Sequence, residues 1–227
     1  MLKNLSARVF GGACFLCRGA AAGLLCEACE AELPRAPDPA CPRCALASPG
    51  GALCGRCLAR PPAYDATVSA LAYEFPADAL IHALKFRGEL ALAPLLAGLL
   101  SPRLAAAGPL DLVVPVPLSR ERLRSRGYNQ AAEIGRAVGM LVRAPLRAAL
   151  CVRVRDTPPQ TDLPLEARDK NVRGAFACST RLQGERVAIV DDVMTTGATL
   201  DALAGALKRA GASRVVNLVV ARTPAPR

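Results

Sequence analysis

One stretch, VAIVDDVMTTGATL at residues 187–200, constrains the fold more than any other part of the chain. Residues 187–190 form an unbroken apolar run that is typical of a buried strand in a parallel sheet. Asp191 and Asp192 follow at the carboxyl end of this strand, and residues 195–199 form a hydroxyl-rich turn before a helical period begins. Helix N-termini favour anions, and open α/β sheets bind ligands at the carboxyl ends of their strands. We therefore expect a phosphate on the turn and its attached sugar beside the two carboxylates.

This stretch resembles the phosphoribosyl-diphosphate (PRPP) signature of the type I phosphoribosyltransferases. In that family the acidic pair holds the ribose 2′ and 3′ hydroxyls, and the Thr/Gly loop wraps the 5′-phosphate. The resemblance implies a catalytic role for the acidic pair with Mg²⁺, and it implies PRPP binding by Asp191, Asp192, Val193, Thr195, Thr196, Gly197, Ala198 and Thr199. The alternative is an ordinary strand–loop–helix joint with helix-capping side chains. Two adjacent acids fit that alternative poorly, because they repel each other unless a ligand, metal or base is present.

The charge balance points to a polyanionic partner. The 227 residues suffice for one α/β domain and a small accessory domain, and they carry a net charge of +10 from 29 basic and 19 acidic residues. Residues 119–155 hold nine Arg and two Glu, which is most of the excess. A basic field of this kind attracts polyanions without identifying them. Aromatic residues make up 4% of the chain and Trp is absent, which argues weakly against a stacking-rich binder of single strands.

The apolar segments do not predict an integral membrane segment. Residues 1–10 lack the continuous apolar core of a signal peptide. The longest apolar stretch, residues 90–100, is interrupted by Pro94 and has about half the length of a membrane span. We expect a cytoplasmic protein that reaches the inner face of the membrane through partners.

Eight of the ten cysteines occur as four CxxC pairs. Two thiolates on a tight knuckle can both reach one tetrahedral ion, and a second knuckle completes the site, so two structural zinc ions are expected on Cys14, Cys17, Cys26, Cys29, Cys41, Cys44, Cys54 and Cys57. Adjacent pairs make the simplest sites, although an interleaved arrangement also fits. A disulfide framework is the alternative, and an expected cytosolic location disfavours it. Cys151 and Cys178 have no CxxC partner and are interpreted as small buried hydrophobes.

Hydrophobic periodicity divides the rest of the chain. Pro61 and Pro62 separate a zinc-ribbon domain at residues 1–60 from a second domain at residues 63–222, and residues 223–227 are expected to be a frayed tail. Strands are predicted at residues 67–75, 111–118, 146–154, 175–179, 186–193 and 214–221. Helices are predicted at residues 77–86, 90–107 (with a break near Pro94 or Pro102), 129–142, 165–171 and 199–210. Strands that alternate with helices indicate an α/β fold with a mainly parallel sheet.

Four further segments extend the resemblance over nearly the whole chain. They are IHALKFRG at residues 81–88, VPVPLS at 114–119, RGYNQ at 126–130, and TPPQ at 157–160 followed by Arg168, Asn171 and Val172. In this order, between the CxxC pairs and the acidic pair, they resemble the ComF family of competence-associated proteins. The resemblance implies a type I phosphoribosyltransferase fold behind an N-terminal zinc ribbon. It also implies a role in natural transformation, with single-stranded DNA and a helicase as partners, although some members are named for gluconate utilisation.

A PRPP site also needs groups for the pyrophosphate. The superfamily topology implied by the resemblance points to the loop after the strand at residues 111–118. The candidates for pyrophosphate or DNA contact are Lys85, Arg87, Pro117, Leu118, Ser119, Arg120, Arg126 and Asn129, with Arg122 and Arg124 as further cations. A solvated basic loop is the alternative. Residues 153–173 lie where superfamily members carry a hood, so Thr157, Gln160, Arg168 and Asn171 either meet a substrate or belong to a plain surface loop.

Three functions remain open at this point. The favoured one is a ComF-type protein of DNA uptake that handles incoming single-stranded DNA and carries a PRPP-type site. The second is an active Mg²⁺-dependent phosphoribosyltransferase with an unknown acceptor, outside DNA uptake. The third is a non-catalytic adaptor that docks a helicase through its zinc ribbons. His82, the single histidine, is more typical of a helix surface than of a catalyst, and the lack of a Walker A sequence argues against ATP hydrolysis.

Overall fold

Two small cysteine-bearing modules begin the structure, a computed structural model that describes residues 12–155 and 174–225. We call residues 12–33 the first ribbon and residues 40–60 the second ribbon. The elements of the first ribbon are β1 (Gly12–Ala13), β2 (Ala20–Ala21) and α1 (Glu27–Ala31). The elements of the second ribbon are a 3-10 turn (Pro49–Gly51) and α2 (Gly55–Ala59). All five are short, so hydrogen-bonded structure alone does not account for the shape of the ribbons.

The larger part of the chain is built on one parallel sheet. Six further strands are β3 (Ala66–Ala72), β4 (Leu112–Pro115), β5 (Cys151–Arg153), β6 (Phe176–Cys178), β7 (Arg186–Met194) and β8 (Arg214–Arg222). Four of them form the sheet in the order β3-β8-β7-β4, while β5 and β6 pair antiparallel outside it. Val190 of β7 lies between Pro115 of β4 and Leu218 of β8. The carboxyl ends of β4 and β7 therefore meet at one edge of the sheet.

Helices cover both faces of this sheet. They are α3 (Ala77–Phe86), α4 (Leu92–Leu100) with a 3-10 extension (Ser101–Ala107), α5 (Arg120–Arg126), α6 (Gln130–Val142) and α7 (Ala198–Ala210). Alternate side chains of β7 point to opposite faces, as the strand period requires. Ala188 and Val190 join the core under α4 and α6, whereas Val187 and Ile189 join the core under α7. The predicted α/β architecture is confirmed.

The segment between the ribbons covers the free edge of β3. An unpaired edge strand exposes a row of backbone groups that invites association with another chain. Here Arg35 bridges to Leu71, the N–H of Ala36 donates to the carbonyl of Ala70 at 3.0 Å, and the N–H of Ala72 donates to Pro34 at 2.9 Å. The proline-rich stretch at residues 34–39 thus closes the sheet on one side.

One helix was not predicted from the sequence, and one predicted strand was wrong. The basic segment that begins with Arg120 forms α5, which follows Ser119, whose Oγ accepts from the N–H of Arg122 at 3.3 Å. The strand predicted at residues 146–154 is limited to Cys151–Arg153, because Leu146 makes just an isolated bridge to Val113. The predicted break in the helix over residues 90–107 occurs at Ser101, beside Pro102, where the helix changes to 3-10 form. Pro94 causes no break, because it lies in the first turn, where proline is tolerated.

Candidate functional site

The eight CxxC cysteines form two separate clusters. In each cluster the four sulfur atoms lie within 4.8 Å of one another, and the adjacent pairs share a cluster, Cys14 to Cys29 in one and Cys41 to Cys57 in the other. Backbone N–H donors lower the pKa of the Cys14 thiol to about 6, and the N–H of Cys17 has the largest effect. Burial opposes this shift. Four thiols in this arrangement fit a tetrahedral zinc ion. The two clusters are consistent with two structural zinc ions.

Asp191 and Asp192 lie near the carboxyl end of β7. Asp192 is buried, with 3% of its surface exposed, and Asp191 is half-buried. The carboxylate of Asp191 accepts from the N–H of Asp192 at 2.9 Å, and that of Asp192 accepts from the N–H of Val193 at 2.9 Å. Loss of water contact, followed by the charge of Asp192, raises the pKa of Asp191 well above the usual carboxyl range. The pair therefore favours a ligand that brings positive charge or hydroxyl donors to Asp191.

Lys85 of α3 is the direct partner of the buried acid. Its Nζ lies 2.8 Å from Oδ2 of Asp192. Burial alone would lower the pKa of Lys85, but the two carboxylates, Asp192 first, raise it above the ordinary lysine value. Lys85 is thus held in its charged form. The structure places this pyrophosphate candidate on the acidic pair, where it neutralises one of the two charges.

The turn after β7 leads directly into helix α7. Gly197 precedes the helix with a φ of 88°, in the left-handed region that favours glycine. A Cβ at this position would lie 2.7 Å from Cε of Met194 and 3.0 Å from the hydroxyl oxygen of Tyr64. The N–H of Ala198 already donates to Oγ1 of Thr196 at 3.2 Å. The predicted phosphate turn at residues 195–199 is therefore closely packed on one side and sits at the positive end of a helix.

Arg222, at the end of β8, ties this turn to the second ribbon. Its guanidinium donates to the carbonyl of Met194 at 2.9 Å and to that of Thr195, and its Nε donates to the carbonyl of Cys44 at 3.0 Å. Only 3% of Arg222 is exposed. Sequence reasoning missed this residue, although a charged side chain that ends a buried apolar strand is a signal for an internal partner.

Two further candidates, Arg126 and Asn129, lie at the same edge of the sheet. Arg126 stands over the ring of Phe86 at 5.1 Å and pairs with Oε1 of Gln130. Burial lowers the pKa of Arg126, and the charge of Asp192 partly opposes that shift, so the two groups interact electrostatically. Asn129 caps α6 through the N–H of Ala131 at 3.0 Å and donates to the carbonyl of Val116 at 3.0 Å. Arg126 and Asn129 are thus fixed near the acidic pair.

The other candidates differ in accessibility. Pro117 and Ser119 are buried and Leu118 is half-buried, directly after β4. Arg87 and Arg120 are exposed and could meet a large partner. The hood candidates Thr157, Gln160, Arg168 and Asn171 lie outside the described residues. The N–H of Thr223 in the expected tail donates to Met194 at 3.0 Å.

A cavity of about 550 Å³ separates the second ribbon from the phosphate turn. Its walls include Arg56 and Arg60 of the ribbon, Tyr64, Thr196 and Gly197. The two aspartates do not line it. The cavity therefore lies between the second ribbon and the phosphate turn, and Asp191 and Asp192 lie outside its walls.

Comparisons with known proteins agree with this arrangement. Family models match a double zinc ribbon domain at residues 5–58 and a phosphoribosyl transferase domain at residues 152–227. DNA utilization protein YhgH of Salmonella typhi is 36% identical over 93% of this chain and 97% of its own length. Competence protein F of Haemophilus influenzae is 30% identical over 91% of this chain and 95% of its own length. The chain belongs to the ComF family. Both the zinc ribbon and the phosphoribosyltransferase fold predicted for this ComF protein are confirmed.

Solved structures show more distant likeness to the ComF chain. The glutamine PRPP amidotransferase of B. subtilis is 20% identical with a TM-score of 0.37, over 57% of this chain and 25% of that one. The purine phosphoribosyltransferase of Pyrococcus horikoshii is 19% identical with a TM-score of 0.31, over 69% of this chain and 87% of that one. No helix among the described residues has the length and apolar character needed to cross a membrane.

Proposed function

We propose that this ComF protein binds PRPP, or a related phosphoribosyl ligand, with Mg²⁺ at the carboxyl edge of its sheet and acts in the handling of single-stranded DNA. One observation carries the ligand proposal: Asp191 and Asp192 lie near the carboxyl end of β7, a few residues before a turn at a helix N-terminus. The turn suits a phosphate, and Asp191 gains from hydroxyl donors or a cation. A single sugar phosphate with its metal ion would supply the phosphate for the turn and the hydroxyl donors and cation for Asp191.

The residues divide the ligand between them. Asp191 and Asp192 would accept hydrogen bonds from the ribose hydroxyls, and residues 195–199 would hold the 5′-phosphate through backbone N–H groups. Arg126 and the backbone after β4 would face the pyrophosphate, because they lie at the same sheet edge. Asp191 fits a nearby Mg²⁺, since among the described residues no Lys or Arg forms an ion pair with its carboxylate as Lys85 does with that of Asp192. The metal would supply neutralisation of the pyrophosphate oxygens.

The ligand proposal is tested by calorimetric titration of the zinc-loaded protein with PRPP and Mg²⁺. We expect binding by the wild type and its loss in Asp191→Asn and Asp192→Asn. Asp111→Asn is the matched control, because Asp111 has the same side chain and bonds Arg186 at the opposite end of β7. No binding by the wild type, or equal loss in the control, would overturn the proposal.

The DNA proposal is supported by the exposed face of α5. Arg120 and Arg124 are exposed and Arg122 is half-buried, in the segment that carries most of the basic excess. Replacing these three by Gln should weaken binding of single-stranded DNA and flatten its dependence on salt, because fewer counterions are released. A matched triple change with the same loss of charge, at Arg136, Arg143 and Arg147 of the same basic segment but outside α5, should have a smaller effect, because these three are not clustered on one short helix and Arg136 is already paired with Glu133. Affinity that ignores both salt and the α5 variant would refute the DNA proposal.

A helicase partner, with recruitment to the membrane through it, is a second proposal that rests on the ribbons. Leu53 and Leu58 of the second ribbon are 40% and 62% exposed. Apolar side chains on a zinc-stabilised surface suit a protein partner. Leu53→Ser with Leu58→Ser should abolish co-purification with a helicase while leaving the zinc content unchanged. Unchanged co-purification would remove the second ribbon from this role.

A further inference from the structure

Cys151 and Cys178, interpreted from the sequence as small buried hydrophobes, face each other across the β5–β6 ladder. Two pairs at odd distances from the cysteines along the ladder, one and three positions away, are hydrogen-bonded: the N–H of Ser179 donates to the carbonyl of Leu150 at 2.8 Å, and that of Val154 donates to the carbonyl of Ala175 at 2.9 Å. Because the two kinds of position alternate in an antiparallel ladder, the cysteines occupy a non-hydrogen-bonded pair. Such pairs bring Cα atoms to about 4.5 Å, where side chains are closest. That spacing is within the roughly 4.4–6.8 Å range that a disulfide spans.

The two thiols differ in exposure and in charge. Cys151 is 1% exposed, whereas Cys178 is half-buried and both are unlinked in the structure. The neighbouring Cys151 thiol lowers the pKa of Cys178, burial opposes this shift, and the charge of Arg209 adds to it. The same interaction, followed by burial, raises the pKa of Cys151. Cys178 is thus the nucleophile of the pair and Cys151 the second, protected thiol.

We propose that Cys151 and Cys178 are a redox modification site that forms a reversible cross-strand disulfide with a low-molecular-weight disulfide of the glutathione class as oxidant. The thiolate of Cys178 attacks one sulfur of the oxidant and releases one thiolate, leaving a mixed disulfide on Cys178. Cys151 then passes its proton to solvent and attacks the Cys178 sulfur, which expels the second small thiolate. Two protein thiols are oxidised to one disulfide, and the small disulfide is reduced to two thiols.

The crosslink would lie at the edge of a hydrophobic core. Cys151 belongs to the core under α7, the helix that follows the phosphate turn, and Cys178 packs against it. Oxidation would join β5 to β6 covalently at this point. The inference rests on the ladder register and does not depend on PRPP binding.

The experiment uses the zinc-loaded full chain in glutathione buffers of graded ratio, quenched with acid and mapped by mass spectrometry. We expect a species lighter by two hydrogen atoms, with one crosslinked peptide that joins Cys151 to Cys178 and with both zinc ions retained. Reducing buffer should reverse the change. Full retention of free Cys151 and Cys178 in the most oxidising buffer would overturn the proposal, as would crosslinks confined to the CxxC cysteines with loss of zinc.

Two single variants test the order of attack. Cys151→Ser should accumulate the mixed disulfide on Cys178, because the second thiol is missing. Cys178→Ser should leave Cys151 unmodified, because its thiol is buried. Modification of Cys151 in the second variant would refute the assigned roles. If either variant fails to fold, the wild-type peptide map still decides whether the disulfide forms.

Discussion

Replacement of Arg222 by methionine tests whether this side chain stabilises the protein by joining the second ribbon to the phosphate turn. Methionine keeps an apolar stem of similar length but removes the donors to the carbonyls of Cys44, Met194 and Thr195. Bonds from a charged group contribute about 1.5–3 kcal/mol each, so three at the lower end give about 4.5 kcal/mol. Burial, which lowers the pKa of Arg222, shows that the guanidinium carries a desolvation cost that offsets part of this gain. We expect a loss of about 3 kcal/mol in the free energy of unfolding.

The matched control for this change is Arg103→Met. Arg103 also joins the ribbon region to the larger domain, donating to Ala36 at 2.9 Å and to Pro37 at 3.3 Å, but its side chain is 32% exposed and does not touch the phosphate turn. Solvent can replace its bonds, so we expect a loss of about 1 kcal/mol. Urea unfolding in zinc-containing buffer measures both variants, with the midpoint interpreted only where the slope is unchanged.

The affinity for PRPP shows whether Arg222 also positions the phosphate turn, in addition to stabilising the fold. If Arg222 holds the turn ready for phosphate, Arg222→Met should weaken PRPP binding about tenfold, equal to about 1.4 kcal/mol, whereas Arg103→Met should leave it unchanged. Zinc content should stay the same in both. An Arg222→Met protein as stable as the control, with unaltered PRPP affinity, would refute the reasoning.

Three further predictions concern the acidic pair and its turn. Lys85→Met leaves Asp192 buried without its cation and should cost about 3–5 kcal/mol in urea unfolding; a loss below about 1 kcal/mol would contradict a buried ion pair. Asp191 has a raised pKa when folded, so the ligand-free protein should become more stable as pH falls through that pKa, and Asp191→Asn should remove this dependence; an unchanged pH profile of the urea midpoint in the variant would contradict it. Gly197→Ala places a Cβ against Met194 and should cost about 1–3 kcal/mol and reduce PRPP binding, whereas Gly50→Ala, also at positive φ but with open space around it, should show the backbone strain alone. Equal losses in the two glycine variants would show that packing against the turn has no effect.

The sequence predicted the centre of the fold almost residue by residue. The strand expected at residues 186–193 is observed at Arg186–Met194, and the helix expected at residues 199–210 is observed at Ala198–Ala210. Both patterns arise from burial: a strand covered on both faces is uniformly apolar, and a helix with one covered face has a 3.6-residue period. The clustered CxxC spacing likewise led to the two cysteine sites, because knuckle geometry is local.

The parts that the sequence did not predict depend on tertiary contacts. Helix α5 has no buried residue, so it has no apolar period, and its signals are a capping Ser119 and Gly127 in the left-handed region at its end. The partner of Lys85 is distant in sequence, since Asp192 reaches it through the packing of α3 against the sheet. The contacts of Arg222 and the pairing of Cys151 with Cys178 depend on strand order and register, which hydrophobic periodicity does not specify.

The two ribbons pack on opposite faces of the same sheet, and this arrangement limits how independent the predicted domains can be. Cys14, Leu25 and Leu33 of the first ribbon belong to the core that contains α4, whereas Cys41 and Cys44 belong to the core under α7. Each ribbon is too small to bury a core alone, and each completes a core of the larger domain. Because cysteines of both clusters are themselves core residues, zinc bound there would stabilise both faces of the sheet and, through Arg222, the phosphate turn. Pro61 and Pro62 therefore mark a change in sequence composition, but they do not separate two cores. On each face of the sheet, residues before and after these prolines share one hydrophobic core.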